Sequence, residues 1–177
     1  EGGNAFFGMN GVTASYNGWH GVYFGDSAAL AEEGDATFFA QYVAANDNWG
    51  DGLHFGAAYE DRCAASTGYG GGDAGALFEH IQANGNYAHY GYWWDGYGYG
   101  DWGYVGGNGV YFEDSGSSTY WGDAYFSMND VTADYNDSCG VCIGEYGAVS
   151  RYAGDATLVM NGIEAMGNGY GYFGGMY

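Results

Sequence analysis

The residues able to do chemistry in this chain are few and unevenly placed. The densest group is Tyr90, Tyr92, Trp93, Trp94, Tyr97, Tyr99, Trp102 and Tyr104, interleaved with Asp95 and Asp101. Aromatic rings beside carboxylates suit a carbohydrate groove, since rings stack on sugar faces and acids accept from hydroxyls. Tyr92, Trp93, Trp94, Asp95 and Trp102 are the residues read as glycan-contacting. Paired acids could also hydrolyse a glycosidic bond if held about 5.5 Å or about 6.5–9.5 Å apart. The plainer reading is a glycine–aromatic loop packed on the body or on a neighbouring subunit. That reading is preferred, and no catalytic residue is assigned.

The other reactive side chains look solitary. Cys139-Gly140-Val141-Cys142 has redox or zinc-ligand spacing, but one such pair is half a zinc site. Residues three apart on a strand face opposite sides, so the pair is expected not to bridge, and with Cys63 the count is odd. Packing thiols are the expectation. His20, His54, His80 and His89 show no ligand spacing. Asn136-Asp137-Ser138 matches a glycosylation sequon, but the same Asn belongs to a repeated corner described next.

What must position these residues is a repeat. Gly34-Asp35-Ala36-Thr37-Phe38, followed by Val43-Ala44-Ala45-Asn46-Asp47-Asn48, returns as Gly122-Asp123-Ala124-Tyr125-Phe126 with Val131-Thr132-Ala133-Asp134-Tyr135-Asn136. Further copies begin at Gly3, Gly72 and Gly154, and Gly100-Asp101 is read as a sixth start. Coils therefore begin near 3, 34, 72, 100, 122 and 154, within one domain spanning 1–177. A fixed motif at irregular spacing implies constant strands joined by variable loops, and units of this length cannot bury an apolar face alone. Each unit reads strand, Asn-rich turn, strand: alternating Ala36 and Phe38, then the corner, then Gly52-Leu53-His54-Phe55 and its copies. Asn tolerates left-handed backbone and bonds its own main chain, which suits a tight corner. Ala28 to Glu33 is the one helix-like run.

These units resemble the coils of right-handed parallel β-helices, the pectin-lyase-like fold, and most of all the tandem repeats of large bacterial and archaeal surface proteins. The resemblance covers nearly the whole chain, although Ala36 and Phe38 stand where that family usually has Val, Ile or Leu. It implies an all-β parallel solenoid of about six irregular coils without substantial helix. Matching residues would then lie about 4.8 Å apart along the axis. Asn17, Asn48, Asn86, Asn136 and Asn168 would form one column, bonding to each other as a ladder. Tyr23, His54, Tyr92, Tyr111 and Cys142 would form another. Asp35, Asp73, Asp123 and Asp155 would form a third, with Asn4 and Asp101, and stacked carboxylates there make calcium the one cofactor to consider. Otherwise no cofactor is expected. Lyases of this fold use a basic residue as proton abstractor, and neither Arg62 nor Arg151 lies in a recognisable motif.

Composition narrows the partners. There are 22 acidic residues against two basic ones, with no Pro and 37 Gly. Nucleic acid is excluded as a partner because neutralising phosphates needs clustered Lys or Arg. No apolar run approaches the roughly 18 residues of a membrane helix, so no membrane insertion is expected. An acidic exterior fits an extracellular or cell-surface protein. Glu1-Gly2-Gly3-Asn4 shows neither a basic start nor an apolar run, so a processed protein or an excerpt of a longer one is expected. The last residues carry no helix or charged cap, and an open strand edge recruits partners. The expectation is a structural, non-enzymatic protein that stacks head to tail as a homopolymer in a filament, sheath or surface layer. The rival is a glycan-binding or polysaccharide-degrading β-helix.

Overall fold

The computed structural model describes residues 3–56, 63–94 and 100–169. The first coil holds β1 (Ala5–Asn10), β2 (Val22–Phe24) and β3 (Ala29–Ala31), and the second β4 (Ala36–Ala44), β5 (Leu53–Phe55) and β6 (Ala65–Thr67). The third opens with β7 (Ala74–Gln82), departs into β8 (Ala88–Trp94) and β9 (Gly100–Gly106), and resumes with β10 (Val110–Phe112) and β11 (Ser115–Thr119). The fourth holds β12 (Ala124–Thr132), β13 (Val141–Ile143) and β14 (Tyr146–Ser150), and β15 (Ala156–Glu164) opens a fifth. Corresponding strands pair in parallel into three sheets: A, in the order β1-β4-β7-β12-β15; B, β13-β10-β5-β2; and C, β14-β11-β6-β3. The chain is an all-β parallel solenoid, with no helix among the described residues.

The coil count is about four, not six. Gly100 begins no coil: it pairs antiparallel with Trp94 in the β8–β9 hairpin, so Gly72 to Gly122 is one coil carrying an insertion. Tyr92 and Asp101 leave their expected columns for the same reason, pairing with Trp102 and Trp93. The run at Ala28 is a strand, because Ala29 and Ala31 alternate inward around exposed Leu30. Sheet C was not anticipated. Its strands are short and rich in Ala, Ser and Thr, so they carry little apolar alternation to read.

The core is a stack of rings. Phe24, Phe55 and Phe112 of sheet B lie in register, with centroids 5.0 and 4.9 Å apart and planes within 12°. Phe38, Phe78 and Phe126 of sheet A meet them edge-on at 5.2 to 5.5 Å. The ring spacing is the strand spacing, so each coil adds a layer to one continuous column. Large rings from two sheets leave room only for small residues on the third, which is why Ala29, Ala65 and Ser117 line sheet C.

The corners are built from backbone that disfavours ordinary side chains. Tyr16, Asp47, Gly85, Tyr135 and Gly167 occupy one left-handed column, φ 55° to 63°, each directly before an asparagine. The turn after it needs glycine for space. A Cβ on Gly52 would sit 2.6 Å from the Gly109 carbonyl oxygen, 2.7 Å from that of Ala45 and 2.9 Å from Asn86 Nδ2. That explains why Gly precedes Val or Leu in sheet B of every coil.

Candidate functional site

Two arrangements stand out above this scaffold, and the first is the asparagine column with its neighbouring ladders. Asn17, Asn48, Asn86 and Asn136 each donate both backbone N–H and side-chain Nδ2–H to the Oδ1 of the next asparagine, at 2.9 to 3.1 Å, ending at Asn168. Asn48, Asn86 and Asn136 are fully buried. A primary amide both donates and accepts, so identical residues can propagate a chain of bonds, which a carboxylate cannot.

The aspartate column is built differently. The Oδ1 of Asn4, Asp35, Asp73 and Asp123 accepts the backbone N–H of the next acidic residue, as far as Asp155, at 2.8 to 3.0 Å. All these aspartates are exposed. One oxygen of each carboxylate, from Asp35 to Asp123, is thus engaged by main chain. Sequence reading missed a third ladder beside the asparagines: Ser15, Asn46, Asn84 and Asp134 accept the N–H of Asn46, Asn84, Asp134 and Met166.

The second arrangement lies one step past the asparagine corner. His20, Asp51, Asn108 and Cys139 form another column. The Asp51 N–H donates to His20 Nδ1 at 2.9 Å, Asn108 gives its N–H and Nδ2–H to Asp51 Oδ1, and the Cys139 N–H donates to Asn108 Oδ1. Asp51 Oδ2 then faces two imidazoles, His54 Nδ1 at 2.6 Å and His20 Nδ1 at 3.3 Å. Asp51 is 1% exposed and the His20 side chain 4%. Burial holds the His20 pKa down to about 4; the Asp51 carboxylate opposes this, and His54 and His89 reinforce it. A backbone N–H cannot rotate, so Nδ1 of His20 is the acceptor and its proton sits on Nε2.

Rings enclose this cluster. Trp19 packs on His20 and, at 4.4 Å, on His89 of the hairpin; Tyr23 lies on His20 and His54; Tyr111 meets His54. Burial, with Glu113 and Asp51, pushes the Tyr111 phenol up to about 12. Both ring nitrogens of His89 are buried with no hydrogen-bond partner. The histidines were expected to share no ligand spacing, yet His20, His54 and Asp51 bring ligand atoms within 4.8 Å of one another. The missing signal was one coil period. Aligning Gly21 with Gly52 places His20 opposite Asp51.

The cysteines also depart from expectation. Cys139 and Cys142 form a disulfide, with Cα atoms 5.9 Å apart. Only Cys142 is on a strand; Cys139 sits in the preceding turn, so the argument from strand alternation does not apply. Cys63 is a buried thiol outside the disulfide, and burial pushes its pKa up, out of the reactive range.

The aromatic hairpin projects as a separate two-stranded sheet. Tyr90 and Tyr104 are exposed and meet edge-on at 5.7 Å. Tyr92, Trp93, Trp94 and Trp102 are placed on its backbone, their side chains outside the described part, and Asp95 lies outside the described residues. Arg62 lies outside them as well, and Arg151 stands over the Tyr120 ring at 5.7 Å.

Compared with known proteins, the chain matches no family model, no curated sequence and no solved structure.

Proposed function

We propose that this protein is structural: a subunit or segment of an extracellular filament, sheath or surface layer, assembled by the stacking of β-helical coils as in the surface proteins its repeats resemble. One observation carries the reading. The last strand of sheet A repeats the inward pattern of its neighbour yet lies open: Leu158 and Met160 are 51% and 38% exposed where Phe126 and Met128 are buried. A further coil, of this chain or of a second copy, would cover that face and continue the ladders. At β1, Phe7, which pairs with buried Phe38, is 36% exposed. Head-to-tail contacts that do not close give filaments. The Cys139–Cys142 disulfide supports an oxidising, extracellular setting.

The test is electron microscopy of the pure protein with sedimentation across a concentration series. Long fibres with an axial repeat near a multiple of about 4.8 Å are expected. Leu158→Lys with Met160→Lys should yield particles of one chain. Monodisperse particles from the unaltered protein at every concentration would overturn self-assembly.

The exposed Tyr90–Tyr104 pair favours a second reading, glycan binding on the hairpin. Affinity electrophoresis through gels containing acidic and neutral polysaccharides tests it, with retardation lost in Tyr90→Ala and Tyr104→Ala.

A further inference from the structure

We infer that His20, Asp51 and His54 form a binding site for a divalent transition-metal ion, of which Zn2+ is the simplest probe. Three observations converge on it. His20 Nδ1 and Asp51 Oδ2 lie 3.3 Å apart with no proton between them, because the Nδ1 lone pair already faces the Asp51 amide. Two acceptors facing each other in a buried site repel unless a cation lies between them. Their separation is also the edge of a tetrahedron with metal–ligand bonds near 2.0 Å, about 3.3 Å. His54 completes three ligands from the other side of the same oxygen, its Nδ1 at 2.6 Å.

The second observation is the state of the ligands. A lone pair is what coordinates, and the Asp51 N–H fixes His20 Nδ1 as an accepting nitrogen. On binding, His20 Nδ1 exchanges its hydrogen bond from the Asp51 amide for a coordinate bond. The His54 Nδ1, 2.6 Å from Asp51 Oδ2, carries the proton of that hydrogen bond; on binding, this proton leaves Nδ1, either to bulk water or by the shift to Nε2 that gives the other neutral tautomer, and the freed lone pair takes the ion. Asp51 Oδ1 stays committed to the N–H and Nδ2–H of Asn108, which anchor that oxygen while the other turns to the ion.

The third is His89, which the hairpin brings against Trp19 beside His20 with two buried, unpartnered ring nitrogens. That leaves a ring with two buried, unsatisfied nitrogens beside the cluster, outside the set of ligand atoms within 4.8 Å of one another. Two imidazoles with one carboxylate select zinc, copper, nickel or cobalt over calcium and magnesium, which prefer all-oxygen shells. The site stands at the first two coils, whereas Leu158 and Met160 lie on β15 at the other end of sheet A, so the substitutions that test stacking leave its ligands in place.

The experiment titrates Zn2+ into the full chain after chelator treatment, by calorimetry in excess Ca2+ and Mg2+ so that surface carboxylates are occupied. One ion per chain is expected. His54→Ala and His20→Ala should each weaken it at least about 100-fold, while His80→Ala, at the exposed His80–Asp130 pair elsewhere, leaves it unchanged. In the unaltered protein, Co2+ should give visible d–d absorption that Zn2+ abolishes. By NMR, the ring signals of His20 and His54 should move with Zn2+ while those of His80 stay, a readout that needs no variant to fold. Binding that survives both alanine variants, fails in Ca2+ and Mg2+, or moves the His80 signals instead would overturn the site.

Discussion

The asparagine and aspartate columns use one device in two environments. In both, a side-chain Oδ1 accepts a backbone N–H from the adjacent coil at nearly the same distance, from the preceding coil in the asparagine column and from the following coil in the aspartate column. Asn48, Asn86 and Asn136 are buried, and each adds a second bond from its own amide; the aspartates are exposed and have no proton to give. A neutral group that donates and accepts can therefore repeat in the interior, where stacked charges would be prohibitive. Carboxylates can repeat only where water screens them. The His20–Asp51–Asn108–Cys139 column is a third case: the backbone bonds persist, but the residue types differ, and chemistry gathers where the repetition breaks.

The sharpest way to break this comparison is to exchange the two residue types. Asn86→Asp should place a carboxylate against Asn136 Oδ1 and remove a buried donor, costing about 4 kcal/mol at neutral pH. Denaturant unfolding measures it, and acid should return part of the loss as the carboxyl protonates. A change below about 1 kcal/mol would mean the buried ladder is not what sets the two environments apart.

The mixed column predicts a smaller, pH-dependent effect, read in metal-free protein with chelator present. His20 stays neutral in the fold down to about pH 4, while in the unfolded chain it takes a proton below about 6.5. The unfolded state thus binds more protons between those values. Stability should fall by on the order of 2 kcal/mol as pH drops from 6.5 to 4, with no loss from this group above 6.5. His20→Asn copies the way Asn108 serves the same column, and its unfolding midpoint should lack that share of the pH slope.

The reverse exchange is milder still. Asp73→Asn keeps the Oδ1 acceptor for the Asp123 N–H while relieving repulsion along the exposed column. It should stabilise by about 0.5–1 kcal/mol at low ionic strength, shrinking as salt is added. The least effect is expected at the corner, where Tyr135→Gly removes a left-handed non-glycine residue next to the ladder. A gain of about 0.5 kcal/mol in thermal unfolding would show that the strain at φ 56° outweighs the added freedom of glycine in the unfolded chain.

Much of the scaffold was legible. The Gly-Asp/Asn starts near 3, 34, 72, 122 and 154 precede the five strands of sheet A, and Asn17, Asn48, Asn86, Asn136 and Asn168 were aligned from the corner motif alone. Sheet C was not, because Ala65-Ser66-Thr67 and Ser115–Thr119 show no apolar alternation when the wall opposite is made of phenylalanine. The extra coil at Gly100 arose because a Gly-Asp pair in a hairpin looks the same as one at a coil start.

By itself the chain's text determined what repeats: strand alternation, asparagine corners, glycines at the coil starts and before the second strand, and an acidic composition. These are local rules restated in each coil, so the pattern carries them. Only the tertiary structure decided who meets whom. Neighbouring ladder residues stand 31, 38, 50 and 32 positions apart, and those unequal lengths hide the register from any fixed spacing. His20, Asp51, His54 and His89 come from three coils, and Cys139 closes on Cys142 only because a turn precedes the strand. Contacts across windings depend on which loop lengths are absorbed as insertions, and that is settled by hydrogen-bond register and core packing.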